Sequence, residues 1–300
     1  MVYLRKYLEE CGCDPDLIAL IRLISRQMDP IRKAFLKNQM FEHSHNASGD
    51  IQTQMDTWAD QQIIKVIGES GLVRELASEE QEDLVTFPDS KREYCMVMDP
   101  LDGSSLISTN LAVGTIIGIY EKGGVLQPGL ALKAAFYTVF GPLTVLVVSV
   151  GKGVQSFAWD SETEHYLLLK DSFSIPEGKQ YGSGGVKNEW MPAHQAVIDY
   201  FDEKGFKTRY SGAFVADCHQ LLTYGGIYTY PALKKSKNGK LRLLFEANPL
   251  GFIITQAGGR ISDGNRNILD VKPEKIHQKT PIYIGSKGII EKIEEIYSMY

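Results

Sequence analysis

Apolar positions change their spacing several times along the chain, and each change marks an element. Over 15–37, Leu17, Ile18, Leu20, Ile21, Ile24 and Met28 recur at helical spacing against Arg22, Arg26 and Lys33, which predicts a helix broken or kinked at Pro30. A polar loop from His43 to Asp50 then leads into a second helical pattern over 51–66, with Met55, Trp58, Ile63, Ile64 and Val66 apolar. The spacing tightens after that. Residues 94–98 form a continuous apolar run that reads as a buried strand, and 114–120, 143–150 and 154–159 read as further strands. Residues 165–169 complete a hairpin across Asp160 to Thr163. The stretch 174–190 is loop-rich, with Pro176 and a glycine cluster at Gly182 to Gly185, and a boundary near 173 is expected to divide subdomains 1–173 and 174–300. Beyond it come a helix over 214–223, a strand over 227–230, and an apolar helix opened by Glu246 and stopped at Gly258-Gly259.

Composition mainly excludes. A formal net charge of −5 argues against general nucleic-acid binding, which needs a basic face. The apolar stretch at 143–147 is far short of the ~20 residues a membrane helix needs. Arg5, Lys6, Glu9 and Glu10 leave no signal-peptide core, and Cys11, Cys13, Cys95 and Cys218 make neither a disulfide framework nor a paired zinc pattern. A reducing, cytoplasmic setting is the expectation.

The candidate chemistry centres on Asp99-Pro100-Leu101-Asp102-Gly103-Ser104-Ser105, directly after the first strand. Two carboxylates three residues apart enter a turn that Pro100 and Gly103 shape, followed by two hydroxyls and free backbone N–H groups. Carboxylates repel phosphate unless a cation sits between them, and an oxygen-ligand set suits Mg²⁺ or Mn²⁺. A plain turn after a strand is the bland alternative, since Asp, Pro, Gly and Ser all form turns. Other candidates also have ordinary readings. Asp50 sits where a helix N-cap belongs. Glu79-Glu80 could be a solvated loop, the lysines between Lys234 and Lys240 a solvated charge run, and Glu246 a complement to a helix dipole. His43 and His45 lack the companions of a metal site.

The longer runs around these residues resemble the fructose-1,6-bisphosphatases and sedoheptulose-1,7-bisphosphatases, within a superfamily that includes inositol monophosphatases. The similarity runs from about residue 30 to the end through Gly49 to Asp56, Ser78-Glu79-Glu80, Asp99 to Ser105, and Lys240 to Phe252. It implies an α/β fold built as a layered α-β-α-β-α sandwich. It implies Glu79, Glu80, Asp99, the Leu101 carbonyl, Asp102 and Glu246 as metal ligands for two or three Mg²⁺ ions. Asp50, Asp56 and Glu80 would be catalytic, with Asp56 and Glu80 orienting and deprotonating the attacking water. Gly103, Ser104 and Ser105 would hold the scissile phosphate. Tyr210, Tyr230 and Lys240 would hold the remote phosphate of the sugar, joined by Arg209 from a neighbouring subunit of a homodimer or homotetramer. No Gly-Thr-Gly-Glu nucleotide loop occurs near the start, so AMP inhibition is not implied.

Two departures bear on substrate. Leu106 follows Asp-Gly-Ser-Ser where the fructose enzymes have Asn, and Tyr181 to Lys187 lacks the Asn and Tyr they place on the sugar phosphate. Both departures are similar to the sedoheptulose enzymes, so sedoheptulose 1,7-bisphosphate is the expected substrate, with fructose 1,6-bisphosphate or both as the alternative. An inositol-type monophosphatase would carry Trp-Asp where this chain has Phe245-Glu246 and would not need Lys240. A haloacid-dehalogenase phosphatase needs Asp-x-Asp, which is absent at this loop. A catalytically dead relative is disfavoured because every family carboxylate is present.

Overall fold

The computed structural model of the chain describes residues 2–37, 41–45 and 51–300. Its helices are α1 (Leu4–Glu10), α2 (Pro15–Arg26), α3 (Met28–Ala34), α4 (Gln54–Ser70), α5 (Pro192–Glu203), α6 (Phe214–Tyr224), α7 (Asn248–Gln256) and α8 (Lys287–Tyr297). The helix expected over 15–37 is two helices, and the break falls at Gln27 rather than Pro30. Pro30 sits in the first turn of α3, where a helix leaves its N–H groups unused, so the proline is tolerated.

The second helical pattern starts later than expected. Thr53, not Asp50, caps α4: Asp56 N donates to Thr53 Oγ1 at 3.2 Å, and Thr53 N donates to Asp56 Oδ2 at 2.7 Å. This reciprocal cap satisfies two donors that a helix start leaves orphaned. Part of the expected polar loop is a strand, Phe41–His45, paired antiparallel with Ile51–Thr53. Asp50 lies outside the described residues.

An eight-stranded sheet runs His165–Lys170, Gln155–Asp160, Thr144–Ser149, Leu132–Phe140, Val113–Tyr120, Tyr94–Asp102, Val73–Ser78 and Val85–Thr86. Neighbours are antiparallel except Val73–Ser78 beside Tyr94–Asp102. A five-stranded sheet follows, in the order Lys207–Thr208, Gln180–Ser183, Ile227–Tyr230, Ile282–Gly285 and Arg260–Ser262.

The two-residue period of each strand assigns the layers. Met96 and Met98 point into a core shared with α1 to α4, while Cys95 and Val97 point into a second core with α6 and α7. Tyr228, Ile282 and Ile284 close that second core from the five-stranded sheet. Its other face presents Tyr181, Ile227 and Tyr283 to α5 and α8. The order is helix, sheet, helix, sheet, helix, which is the expected α-β-α-β-α sandwich. Each fully buried Leu, Ile or Phe contributes about 1.5–3 kcal/mol to this arrangement. Among the described residues no helix is long and apolar enough to cross a membrane.

Candidate active site

Tyr94–Asp102 is an interior strand of the large sheet, and its ladder to Val113–Tyr120 loses register between Asp99 and Asp102. There Asp99 Oδ1 accepts the N–H of Leu101 at 2.9 Å, and Thr115 Oγ1 donates to the Pro100 carbonyl at 2.9 Å. Gly103 follows at φ +79°, and a Cβ on it would stand 2.6 Å from the Ala213 Cβ. Only glycine fits that backbone and that gap. The chain then enters the 3₁₀ turn Ser104–Thr109, whose first N–H groups lack intrahelical partners.

Carboxylates converge on this turn from separate elements. One oxygen each of Asp99, Asp102 and Glu246 lies within 4.8 Å of the others. Glu79 arrives on the adjacent parallel strand and is pinned by its N–H to the Met98 carbonyl at 3.0 Å. The Glu79-Glu80 turn is braced from α4, where buried Asp60 accepts from Ser78 Oγ at 2.5 Å and from Gln81 Nε2. Glu246 lies in a π-helical turn, Leu243–Ala247, ahead of α7 rather than at the helix start, and accepts from Arg242 N at 2.6 Å. Asp102 Oδ2 accepts from Val215 N, in the first turn of α6, at 2.6 Å.

Burial, then the charge of Glu79, pushes the Asp99 carboxyl well above the usual carboxylate range and Glu246 up to about 8. Asp102 is pushed up to about 7 mainly by burial, against the hydrogen bond from Val215. Arg242 opposes this crowding. It is 4 % exposed, with Nη2 at 2.8 Å from Glu79 Oε1 and Nη1 at 3.9 Å from Glu246 Oε2. Asp56, raised to about 6 by burial, accepts at Oδ2 from Ser104 Oγ at 3.0 Å and so ties the α4 cap to the phosphate-sized turn.

These groups line one cavity of about 470 Å³. It is lined by Asp56, Glu79, Glu80, Asp99, Leu101, Asp102, Gly103, Ser104, Ser105 and Glu246, and also by Tyr210, Tyr230 and Lys240. Tyr210 lies parallel to Tyr228 (8° between planes, centroids 6.0 Å apart), and Tyr228 stacks on Phe214. Arg209 does not line this cavity. It borders a separate small hollow with Tyr181, Asp217 and Gln220. The sequence reading missed Arg242, although its signal was present: it lies within the run Lys240 to Phe252 that carries the resemblance, two residues after Lys240, and both line the cavity.

The glycine-rich 181–187 loop also has a structural account. A Cβ on Gly184 would lie 2.2 Å from the Tyr230 ring, so the loop backbone is the surface against which Tyr230 packs. Leu106 likewise packs beside Gly103 and Gly212, joining the acidic turn to the start of α6.

Comparison with known proteins agrees with this geometry along the whole chain. Family models described as the fructose-1-6-bisphosphatase N-terminal and C-terminal domains match residues 16–171 and 175–298. The chain belongs to the fructose-1,6-bisphosphatase family. As a member it is a sugar bisphosphatase, a phosphoric monoester hydrolase. The class 1 fructose-1,6-bisphosphatase of Methanospirillum hungatei is 81% identical, over 99% of this chain and 96% of that protein. The corresponding protein of Methanocorpusculum labreanum is 54% identical, over 99% and 92%. The crystal structure of Leishmania major fructose-1,6-bisphosphatase in holo form superposes with a TM-score of 0.93 at 30% identity, covering 99% of both chains. The oxygen-only donor set of Asp99, Asp102 and Glu246 suits a hard divalent cation.

Proposed function

We propose that this chain hydrolyses the 1-phosphate of fructose 1,6-bisphosphate and releases inorganic phosphate, using two or three Mg²⁺ ions, with Mn²⁺ as a substitute. One observation carries the reading. A single cavity joins an acidic, hydroxyl-bearing turn at one end to Tyr210, Tyr230 and Lys240 at the other. That spacing suits a substrate with two phosphates, one to be cut and one to be held. The sedoheptulose preference suggested by Leu106 and the 181–187 segment is not supported by the relatives, which are named fructose-1,6-bisphosphatase at up to 81% identity. Both departures also have packing reasons, so a longer sugar is not needed to explain either.

Glu79, Glu80, Asp99, the Leu101 carbonyl, Asp102 and Glu246 would hold the ions, whose chemistry is to neutralise the phosphoryl oxygens and lower the pKa of water. Asp56 and Glu80 take up the proton of the attacking water, and a carboxyl poised at about 6 suits a base working near neutrality. Asp50 completes this catalytic set. Gly103, Ser104 and Ser105 donate to the scissile phosphate. The remote phosphate binds Tyr210, Tyr230 and Lys240, and its binding energy positions the reacting end. Arg209, which does not line the cavity of its own chain, serves a neighbouring subunit in a homodimer or homotetramer. In this reading residues 1–173 supply the metal turn and 174–300 most of the sugar-phosphate end.

The test is phosphate release from both bisphosphates with Mg²⁺ and with excess EDTA. Activity on the fructose substrate should require the metal. A kcat/KM more than about tenfold higher for the sedoheptulose substrate, ~1.4 kcal/mol, would reverse the choice of substrate.

A further inference from the structure

Lysines accumulate beside the catalytic cavity of this net-acidic chain. The segments 235–243 and 275–280 run side by side: Leu243 N donates to the Gln278 carbonyl at 2.7 Å, Thr280 N to the Leu241 carbonyl at 2.9 Å, and Arg242 bridges Lys279. Between them opens a hollow of about 750 Å³ lined by Lys235, Lys237, Lys275 and Lys279 against one acid, Glu274. Lys235 Nζ meets Glu189 at 3.2 Å. Among the described residues no carboxylate lies within ion-pair distance of Lys237, Lys275 or Lys279. The wall between hollow and active site is one residue thick along the chain, since Gly239 lines the hollow and Lys240 lines the catalytic cavity. His277, on the same wall, meets the Gln81 carbonyl at 2.8 Å, one residue beyond Glu80.

We propose that this hollow is a cationic antechamber that captures the doubly phosphorylated sugar before it enters the catalytic cavity; the inference rests on the bisphosphatase reading above. A polyanionic substrate approaches a chain of net charge −5 whose active cavity is itself lined with carboxylates. A local field of the opposite sign outside that cavity would favour the encounter. Unpaired lysines on a concave wall supply one, because a cleft lined by one sign of charge concentrates its counter-ion and raises association rates by roughly 10–10³. The field is shared by several flexible ammonium groups, so it attracts without fixing a pose. Fixing the pose is left to Tyr210, Tyr230 and Lys240.

The test is the triple variant Lys237→Gln, Lys275→Gln, Lys279→Gln, assayed for phosphate release from fructose 1,6-bisphosphate over a range of ionic strength. At low salt kcat/KM should fall by about tenfold, the lower end of electrostatic steering. The deficit should vanish toward about 1 M salt, where the Debye length is ~3 Å. The kcat should stay that of the parent, which also reports an intact fold. A control triple, Lys65→Gln, Lys122→Gln, Lys287→Gln, removes equal charge from residues outside both cavities and should leave kcat/KM and its salt slope alone. Titration of EDTA-treated protein with the same bisphosphate reads capture without turnover, and the antechamber variant should bind more weakly than parent and control. An unchanged salt slope together with unchanged binding overturns the antechamber, as does an equal loss in the control. Failure of the parent to release phosphate counts against the bisphosphatase reading instead, and the binding titration still decides the antechamber.

Discussion

Arg242→Met separates the electrostatics of the acid cluster from its packing. Methionine keeps much of the buried apolar stem and removes the cation from between Glu79, 2.8 Å away, and Glu246, 3.9 Å away. Two charges about 4 Å apart interact by about 4 kcal/mol at an effective dielectric of 20. Removing one partner of a buried pair costs about 3–5 kcal/mol, because the other is left uncompensated. At roughly 2 °C per kcal/mol for a chain of this size, the metal-free protein should lose about 6–10 °C in Tm near pH 8. The sign of the pH dependence follows from the acids. Their folded pKa values lie above the unfolded ones, so the folded state keeps protons that the unfolded chain has already shed. Stability of the metal-free protein therefore falls as pH rises from about 4 toward about 8. Loss of Arg242 should steepen that fall and be least felt near pH 5, where Asp99, Asp102 and Glu246 keep their protons. Saturating Mg²⁺ should narrow the gap by supplying another cation. Scanning calorimetry of both proteins, with EDTA and with Mg²⁺, measures all of this. A Tm deficit that is the same in EDTA and Mg²⁺, and the same at both ends of the pH range, would refute the shared-charge account.

Three further outcomes are expected. Gly103→Ala forces a side chain onto a backbone at φ +79° and 2.6 Å from the Ala213 Cβ, so kcat should fall by more than about tenfold, the rate equivalent of ~1.4 kcal/mol of misplacement; near-parental kcat would show that the turn tolerates strain. His194, fully buried between Ser183 Oγ and the Tyr283 hydroxyl, has its pKa pushed down from 6.5 to about 3 by burial. The unfolded chain takes up a proton below pH 6.5 that the folded chain refuses, so stability is lost from there down to about pH 3, and His194→Gln should flatten this acid limb in urea titrations. Mixing Arg209→Ala chains with Asp102→Asn chains should restore low-KM activity in hybrids, because the metal-competent pocket receives an intact Arg209 from its partner; hybrids verified by mass without that activity would return Arg209 to its own subunit.

Much of the site was legible in the sequence because its chemistry is packed into short segments. Asp99 to Ser105 carries two carboxylates, a turn glycine and two hydroxyls within seven residues, and local rules of strand, proline and glycine place them together. The layer order was legible as well, through the resemblance, and it follows from the alternation of apolar positions: Cys95 and Val97 face one core, Met96 and Met98 the other. What local pattern alone could not decide was where equal candidates would stop or point. Asp50 was the expected N-cap, and the cap fell to Thr53 because Asp56 three residues on returns the hydrogen bond and also reaches Ser104, 48 positions away. Arg242 read as one of many basic residues until Glu79, brought from another segment, joined its near neighbour Glu246 in enclosing it. Its partners lie 163 and 4 positions away, and only a folded chain sets both beside one guanidinium. The glycines at 182–185 suggested a different substrate, yet Gly184 is required by the ring of Tyr230, on a neighbouring strand. Close approach between two segments leaves no mark in either one, and the tertiary structure alone reveals it.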